Sequence, residues 1–322
     1  MIDGDSGPLA VSDISVTEVV LAAARGHALR RGDRPALIDP GRELGFARFA
    51  ATVPAAASGL RRLGVRAGDV AAVHLTGAGD LALAVHALTA AGAVPMPLPP
   101  DGAVDDLAVM MTESGARFLL TAGETGPDGV SGPAAASLAA TERSYVRQVF
   151  SFGDVPAATP FGRLVQAGAS AGPAGTFPMP SPDPLRDLAL RLSGPVEEIT
   201  HADRLADLYH LGGTVGIAEG DVLVCCGLDC AAPTWIGLVD LCLTQGATFA
   251  GVPGQDAAAL LDAIRRHRAT AAVVTPAKLR ALTFDHGSVA VPGVRLLVTG
   301  TPSPEVVQAC RVRHGWTVSA LG

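Results

Sequence analysis

Short apolar runs recur along this chain, each followed by a stretch of helical periodicity, and that alternation limits its possible folds more than any other feature. Residues 70–75, 94–98 and 117–121 are such runs in the first half. Residues 188–192, 221–226, 247–252, 271–275, 294–299 and 316–320 are their counterparts in the second. Between them, residues 16–30, 49–63, 80–91, 104–114, 203–212, 234–244, 256–267, 276–282 and 304–314 place apolar side chains at helical spacing. Continuous apolar runs of strand length suit strands buried on both faces, and their alternation with helices predicts parallel sheets flanked by helices. Residues 36–39 and 44–46, around Pro40-Gly41, predict a short hairpin. With 322 residues the chain has room for two domains or one large α/β unit.

Residues 123–184 break the alternation. They are rich in Pro, Gly, Ser and Ala and read as loops and a linker around short elements such as 145–152. The expected organisation is a flexible N-terminus (1–12), a first α/β subdomain (13–150), a linker (151–187) and a second α/β subdomain (188–322) that ends early. A net charge of −7 offers no basic face for nucleic acid. No apolar run approaches the ~20 residues needed to span a bilayer. The acidic start, MIDGDSGPLAVSD, lacks the basic-then-apolar pattern of a leader, so a cytoplasmic location without membrane contact is expected. Cys225, Cys226, Cys230, Cys242 and Cys310 match neither a disulfide framework nor a zinc spacing and are expected to be buried, inert thiols. Lys278 is the only lysine. It follows Pro276 at a predicted helix start, where a solvated face is expected.

The most informative junction is 188–205. A strand-like run meets Ser193-Gly194 and passes through Pro195-Val196-Glu197-Glu198-Ile199 into Thr200-His201-Ala202-Asp203. A phosphate-binding loop sits at such strand-to-helix junctions, because glycine amides and the helix N-terminus attract anions. This one has a single glycine, no lysine and two glutamates. A like-charge pair at ~4 Å costs ~1 kcal/mol even in bulk water, and more when partly desolvated. The stretch therefore reads as a shortened surface turn capping a helix, with Thr200 or Asp203 as the N-cap. His201 and Asp203 are also candidates for an acid–base pair. Ser193 lacks the G-x-S-x-G elbow of a nucleophile. Asp285-His286 reads as a solvated turn, and Trp235 and Trp316 as core or subunit-contact residues. No metal-ligand constellation stands out.

Several landmarks together resemble one family. Gly59-Leu60, Leu63-Gly64-Val65, Gly68-Asp69, Ala90-Ala91-Gly92-Ala93-Val94 with Pro97-Leu98, and Ser114-Gly115-Ala116 resemble, in order and spacing, the N-terminal lobe of acyl- and aryl-CoA synthetases. These belong to the adenylate-forming superfamily, which also holds nonribosomal peptide adenylation domains and luciferases. In the second half Thr200-His201, Gln245-Gly246-Ala247-Thr248, Ile264 to Thr270 with Pro276, and Arg295 to Gly300 with Pro302 resemble later landmarks of the same family. The resemblance implies layered α/β subdomains, as in the N-terminal large domain of these enzymes, without the barrel subdomain and the mobile C-terminal domain. It also implies their chemistry. A carboxylate attacks the α-phosphate of ATP·Mg²⁺ to give an acyl adenylate and pyrophosphate, and a thiol of coenzyme A or carrier-protein pantetheine then takes the acyl group.

The departures are as informative. The family's phosphate loop reads S-G-T-T-G-x-P-K-G, of which Ser193, Gly194 and the following Thr200 remain. The aromatic-histidine pair of the acyl pocket falls near Asp229-Cys230. The adenine segment is reduced to Gly300-Thr301-Pro302, and the sequence stops at Ser319-Ala320-Leu321-Gly322, where the family has Y-G-x-T-E. The expectation is a non-canonical, truncated AMP-dependent ligase-like protein, a pseudoenzyme that does not adenylate alone. It would act as a binding or scaffolding partner in acyl/carrier-protein biosynthetic metabolism. No cofactor is expected, and ATP/Mg only if the missing half is supplied. The expected partners are an acyl-carrier protein, a pathway enzyme, an active relative or a second copy. The alternative is an enzyme of acyl activation or transfer, either half of a split ligase or an ATP-independent catalyst with Cys230 or His201 as its reactive group. The unbroken apolar periodicity argues against a decayed remnant, since random substitution would place charges in those runs.

Overall fold

Two sheets, of seven and five strands, collect the strand-like runs other than 188–192 in a computed structural model that describes residues 14–126, 129–170, 182–193, 197–285 and 293–321. In chain order the elements begin with α1 (Val16–Arg31), β1 (Pro35–Asp39), β2 (Arg42–Gly45), α2 (Phe46–Arg62), β3 (Val70–His74), α3 (Ala78–Ala91) and β4 (Val94–Pro97). Next come α4 (Val104–Glu113), β5 (Phe118–Ala122), a small hairpin of β6 (Thr125–Gly126) and β7 (Gly129–Val130), α5 (Pro133–Thr141), β8 (Gln148–Phe152), β9 (Thr159–Pro160) and α6 (Phe161–Ala169). The hairpin β10 (Leu188–Leu192) and β11 (Glu197–Thr200) leads into α7 (His201–Val215) and β12 (Val222–Cys225). The remainder is α8 (Ala232–Gln245), β13 (Thr248–Gly251), α9 (Ala257–His267), β14 (Ala271–Val274), α10 (Pro276–Phe284), β15 (Arg295–Val298), α11 (Pro304–His314) and β16 (Thr317–Ala320).

The smaller sheet runs β4-β3-β5-β8-β9 and is parallel throughout. The larger runs β16-β15-β14-β12-β13-β1-β2 and is parallel except for the antiparallel edge strand β2. Successive strand residues face opposite sides, and here the sides belong to different cores. Ala71, Val73, Leu120 and Phe150 from one sheet meet Leu37, Leu223, Phe249, Val273 and Leu297 from the other through α1, α2, α3 and α8. The alternate residues Val224, Ala250, Ala272, Val274 and Leu296 pack under α9, α10 and α11. Ala72 and Leu119 pack under α4 and α5. The result is a layered α/β arrangement in which the central strands of both sheets are buried on both faces, which is why they read as unbroken apolar runs.

The sheets do not follow the expected division of the chain. Strand β1 pairs in parallel with β13, Leu37 opposite Phe249 and Ile38 opposite Ala250, so the early hairpin belongs to the sheet of the second half. Strand periodicity decides which residues pair but not with which sheet. The expected linker at 151–187 also holds a packed helix. Helix α6 buries Phe161, Leu164 and Gly168 against α2. The crossing is backbone to backbone: a Cβ on Gly168 would stand 1.8 Å from the carbonyl oxygen of Ala55, and one on Gly59 would stand 2.1 Å from that of Leu164. Four elements are locked by a buried polar chain. Thr17 Oγ1 lies 3.0 Å from His86 Nδ1, His86 Nε2 lies 2.8 Å from Asp240 Oδ1, and Arg204 donates to Asp240 Oδ2 at 2.5 Å. Among the described residues no helix is long and apolar enough to cross a membrane.

Candidate functional site

A cavity of about 660 Å³ opens where the C-terminal ends of β3, β4 and β12 converge. Crevices outside the carboxyl ends of parallel strands are the usual ligand sites of open α/β sheets. Its walls include Leu75 and Leu98 beyond β3 and β4, Leu228 and Cys230 beyond β12, Trp235 on α8, and Ser193 at the end of β10. The Trp235 ring is buried, and its Nε1–H has no hydrogen-bond partner among the described residues. Gly227 is held against that ring, and a Cβ there would lie 2.9 Å from it.

The structure thus joins two candidate residues, Ser193 and Cys230, at one cavity and places others elsewhere. Thr200 is the N-cap of α7. Its hydroxyl donates to Asp203 Oδ2 at 2.7 Å, the Asp203 amide donates back to that hydroxyl at 3.1 Å, and the Thr200 amide donates to the same carboxylate at 3.0 Å. These bonds hold the Asp203 carboxyl below its usual range. They also occupy it, so the possible His201–Asp203 acid–base pair is not formed. His201 is buried and its Nδ1 lacks a partner among the described residues. Burial, then the nearby Arg204 charge, pushes its imidazole down to about 4. It lines a different pocket, of about 360 Å³, with Arg186, Arg191 and Glu198. Gly194 lies outside the described residues. Gly300, Thr301 and Pro302 form the loop after β15, with Gly300 at φ +92°, where glycine is favoured. His286 also lies outside the described residues, and Asp285 caps the end of α10.

Lys278 corrects an expectation. It is buried, and its Nζ lies 2.5 Å from Asp229 Oδ2, beneath the turn of Gly227–Asp229. The expected solvated face fails because α10 directs this part of its first turn inward, where Lys278 meets Asp229 of the turn that follows β12. Burial pushes the Asp229 carboxyl up, while Lys278 pulls it the other way. Asp229 and Lys278 are far apart in sequence, and no local pattern announces their pairing. Trp235 and Trp316 are both buried, as a core role requires, but Trp235 also faces the cavity.

The described residues at the β10–β11 junction supply few groups for a nucleotide triphosphate with magnesium. Leu192 pairs with Glu197 across the β10–β11 hairpin, so only residues 193–196 connect the two strands. The exposed Glu197 and Glu198 stand directly after them, and the only lysine is spent on Asp229. Two exposed carboxylates beside this connection oppose a triphosphate, whose charge needs amides and cations to offset it. Among the described residues no group of three or more His, Cys, Asp or Glu side chains is arranged to hold a metal ion.

With this geometry established, comparisons place the chain among known proteins. Residues 25–190 match the family described as AMP-binding enzyme. The chain is 29% identical over 312 residues to the salicyl-AMP ligase / salicyl-S-ArCP synthetase of Mycobacterium tuberculosis, covering 90% of this chain and 53% of that protein. It is 32% identical over 125 residues to enterobactin synthase component F of Escherichia coli O157:H7, covering 38% of this chain and 10% of that one. The long-chain-fatty-acid-CoA ligase of Archaeoglobus fulgidus shares the fold with a TM-score of 0.79 at 19% identity, over 96% of this chain and 63% of the ligase. MbtA of Mycobacterium smegmatis does so with a TM-score of 0.72 at 23% identity, over 94% of this chain and 55% of MbtA. The chain therefore spans about half the length of the salicyl-AMP ligase it resembles.

Proposed function

We propose that this chain, which belongs to the AMP-binding enzyme family, binds an aryl or acyl group in the cavity beside Trp235 and does not adenylate it unaided. On this reading it is a binding or scaffolding component of acyl and carrier-protein biosynthesis, a pseudoenzyme within its family. One observation carries the reading: a largely apolar cavity of about 660 Å³ adjoins the β10–β11 hairpin, whose Leu192–Glu197 pairing leaves four residues, none of them lysine, between its strands. The cavity walls suit a hydrocarbon or aromatic ring. The indole of Trp235 in the cavity wall suits an aromatic ring packed against it. The name of the salicyl-S-ArCP synthetase supports a carrier protein as the partner class here. Five free thiols support residence in a reducing compartment such as the cytoplasm.

The test is thermal and calorimetric titration with salicylate, benzoate, an acyl-pantetheine thioester and Mg²⁺-ATP. The first three classes contain the ligand, which raises the melting temperature by linkage, whereas Mg²⁺-ATP leaves it unchanged. Trp235→Leu removes the aromatic wall, so affinity for the aromatic ligands falls by the value of one aromatic pair, about 2- to 12-fold. Pyrophosphate exchange catalysed by this chain alone refutes the proposal. A second reading, ATP-independent acyl transfer, is favoured by the thiol of Cys230 in the cavity wall. It requires a covalent acyl adduct on Cys230 after incubation with an acyl thioester under reducing conditions.

A further inference from the structure

The cluster of thiols at the end of β12 has a geometry that neither the fold nor the cavity requires. Cys225 Sγ and Cys230 Sγ are 3.9 Å apart, although four residues separate them, because the turn of Gly227–Asp229 folds the chain back. The two sulfurs sit in different surroundings. Cys225 is fully buried at the strand end, whereas Cys230 is half-buried and lines the cavity. Cys242 and Cys310, by contrast, are fully buried and have no thiol neighbour of this kind among the described residues.

We propose that Cys230 is a redox modification site, oxidised first through the cavity by a peroxide, with Cys225 as its resolving thiol. This goes beyond the acyl-binding reading and stands whether or not that reading holds. The Cys230 sulfur attacks one peroxide oxygen, an S–O bond forms, the O–O bond breaks, and the departing hydroxide takes up the thiol proton to leave as water. The sulfur is oxidised to a sulfenic acid and the peroxide is reduced. Cys225 then attacks the Cys230 sulfur, the S–O bond breaks, and the second hydroxide takes the Cys225 proton. Two thiols and one hydrogen peroxide thus give one disulfide and two waters. Bonding distance for the two sulfurs is about 2 Å, so closure needs a movement of about 2 Å, which the short turn at Gly227–Asp229 can supply. The order of events follows from access. A hydrogen bond to Cys230, and then burial, hold the Cys225 thiol protonated, so Cys225 does not react first. A transient, regulatory disulfide is also the kind found in reducing compartments. Closure draws the cavity wall at Gly227 and Leu228 toward β12.

The experiment treats the reduced full chain with hydrogen peroxide and follows intact mass and peptide maps. The expected product has lost two hydrogen atoms, carries a Cys225–Cys230 cross-linked peptide, and reverts with dithiothreitol. Cys225→Ala leaves Cys230 as a sulfenic acid that dimedone traps, and Cys230→Ser abolishes both the cross-link and the dimedone adduct. The wild-type map needs no variant, so it decides the matter even if the buried Cys225→Ala chain fails to fold. The proposal is overturned if peroxide leaves all thiols intact, over-oxidises Cys230 in the wild type without a cross-link, or joins Cys226 or any other pair instead.

Discussion

Replacing Lys278 with methionine keeps most of the apolar stem and removes the ammonium, so it isolates a single buried charge. Its Nζ lies 2.5 Å from Asp229 Oδ2, with the two side chains 8% and 5% exposed. At an effective dielectric of about 20 the gross attraction over that distance is about 7 kcal/mol. Desolvation of both ions offsets most of it. What the single substitution reads is the cost of leaving Asp229 buried and unpaired, about 3–5 kcal/mol. Part of that cost is relieved by protonation. The Asp229 carboxyl is already pushed up by burial, and without Lys278 it rises further. A carboxyl whose folded pKa exceeds its unfolded value contributes stability that is present at low pH and lost as pH rises through the folded pKa. The Lys278→Met variant should therefore lose more at about pH 8 than at about pH 5. Asp229→Asn added to Lys278→Met should restore most of the loss, since it removes the stranded charge. Urea denaturation at both pH values, with unchanged m, gives the three stabilities. The reasoning is refuted if Lys278→Met lies within about 0.5 kcal/mol of wild type at the higher pH, the range of a surface substitution. It is equally refuted if the double variant is no more stable than the single one.

Three further outcomes are expected. Gly168→Ala drives a methyl into the Ala55 carbonyl oxygen, so it should destabilise by about 1–3 kcal/mol or more, and hydrogen exchange should show α6 loosening from α2. Burial pushes the Asp80 carboxyl up to about 6 against the pull of Arg42. The stability it contributes is full below the unfolded carboxylate range and lost as pH rises through about 6, and Asp80→Asn should flatten that slope, which is at most about 1.4 kcal/mol per pH unit. Thr200→Ala removes the hydroxyl half of the α7 capping box and should cost about 1 kcal/mol in thermal or urea unfolding, with the cavity's ligand affinity unchanged.

Much of the fold was legible because each signal is local. The unbroken apolar runs announce strands covered on both faces, and Thr200 with Asp203 announces a helix start by hydrogen bonds spanning three residues. Helix α6 was obscured because Gly162, Gly168 and the flanking Pro- and Ala-rich segments carry a loop composition. Gly168 serves close packing against α2, which composition does not distinguish from flexibility. Of the candidate site, Ser193 and Cys230 were picked out as fragments of a degraded motif, and their meeting at one cavity was not. The role of Lys278 was misread because a lysine at a helix start is normally solvated, and only its distant partner Asp229 makes burial tolerable.

Sequence alone determined the alternation of strands and helices, the landmarks that carry the family resemblance, and a strand-to-helix junction at 188–205 with one glycine and no lysine. These depend on residue type and near neighbours along the chain. Tertiary structure decided the rest: that β1 joins β13 across the expected boundary, that Lys278 serves Asp229, and that Cys225 and Cys230 stand in contact beside an apolar cavity. Those outcomes rest on contacts that close only when distant segments pack, and burial then changes which charges and thiols are tolerated or reactive.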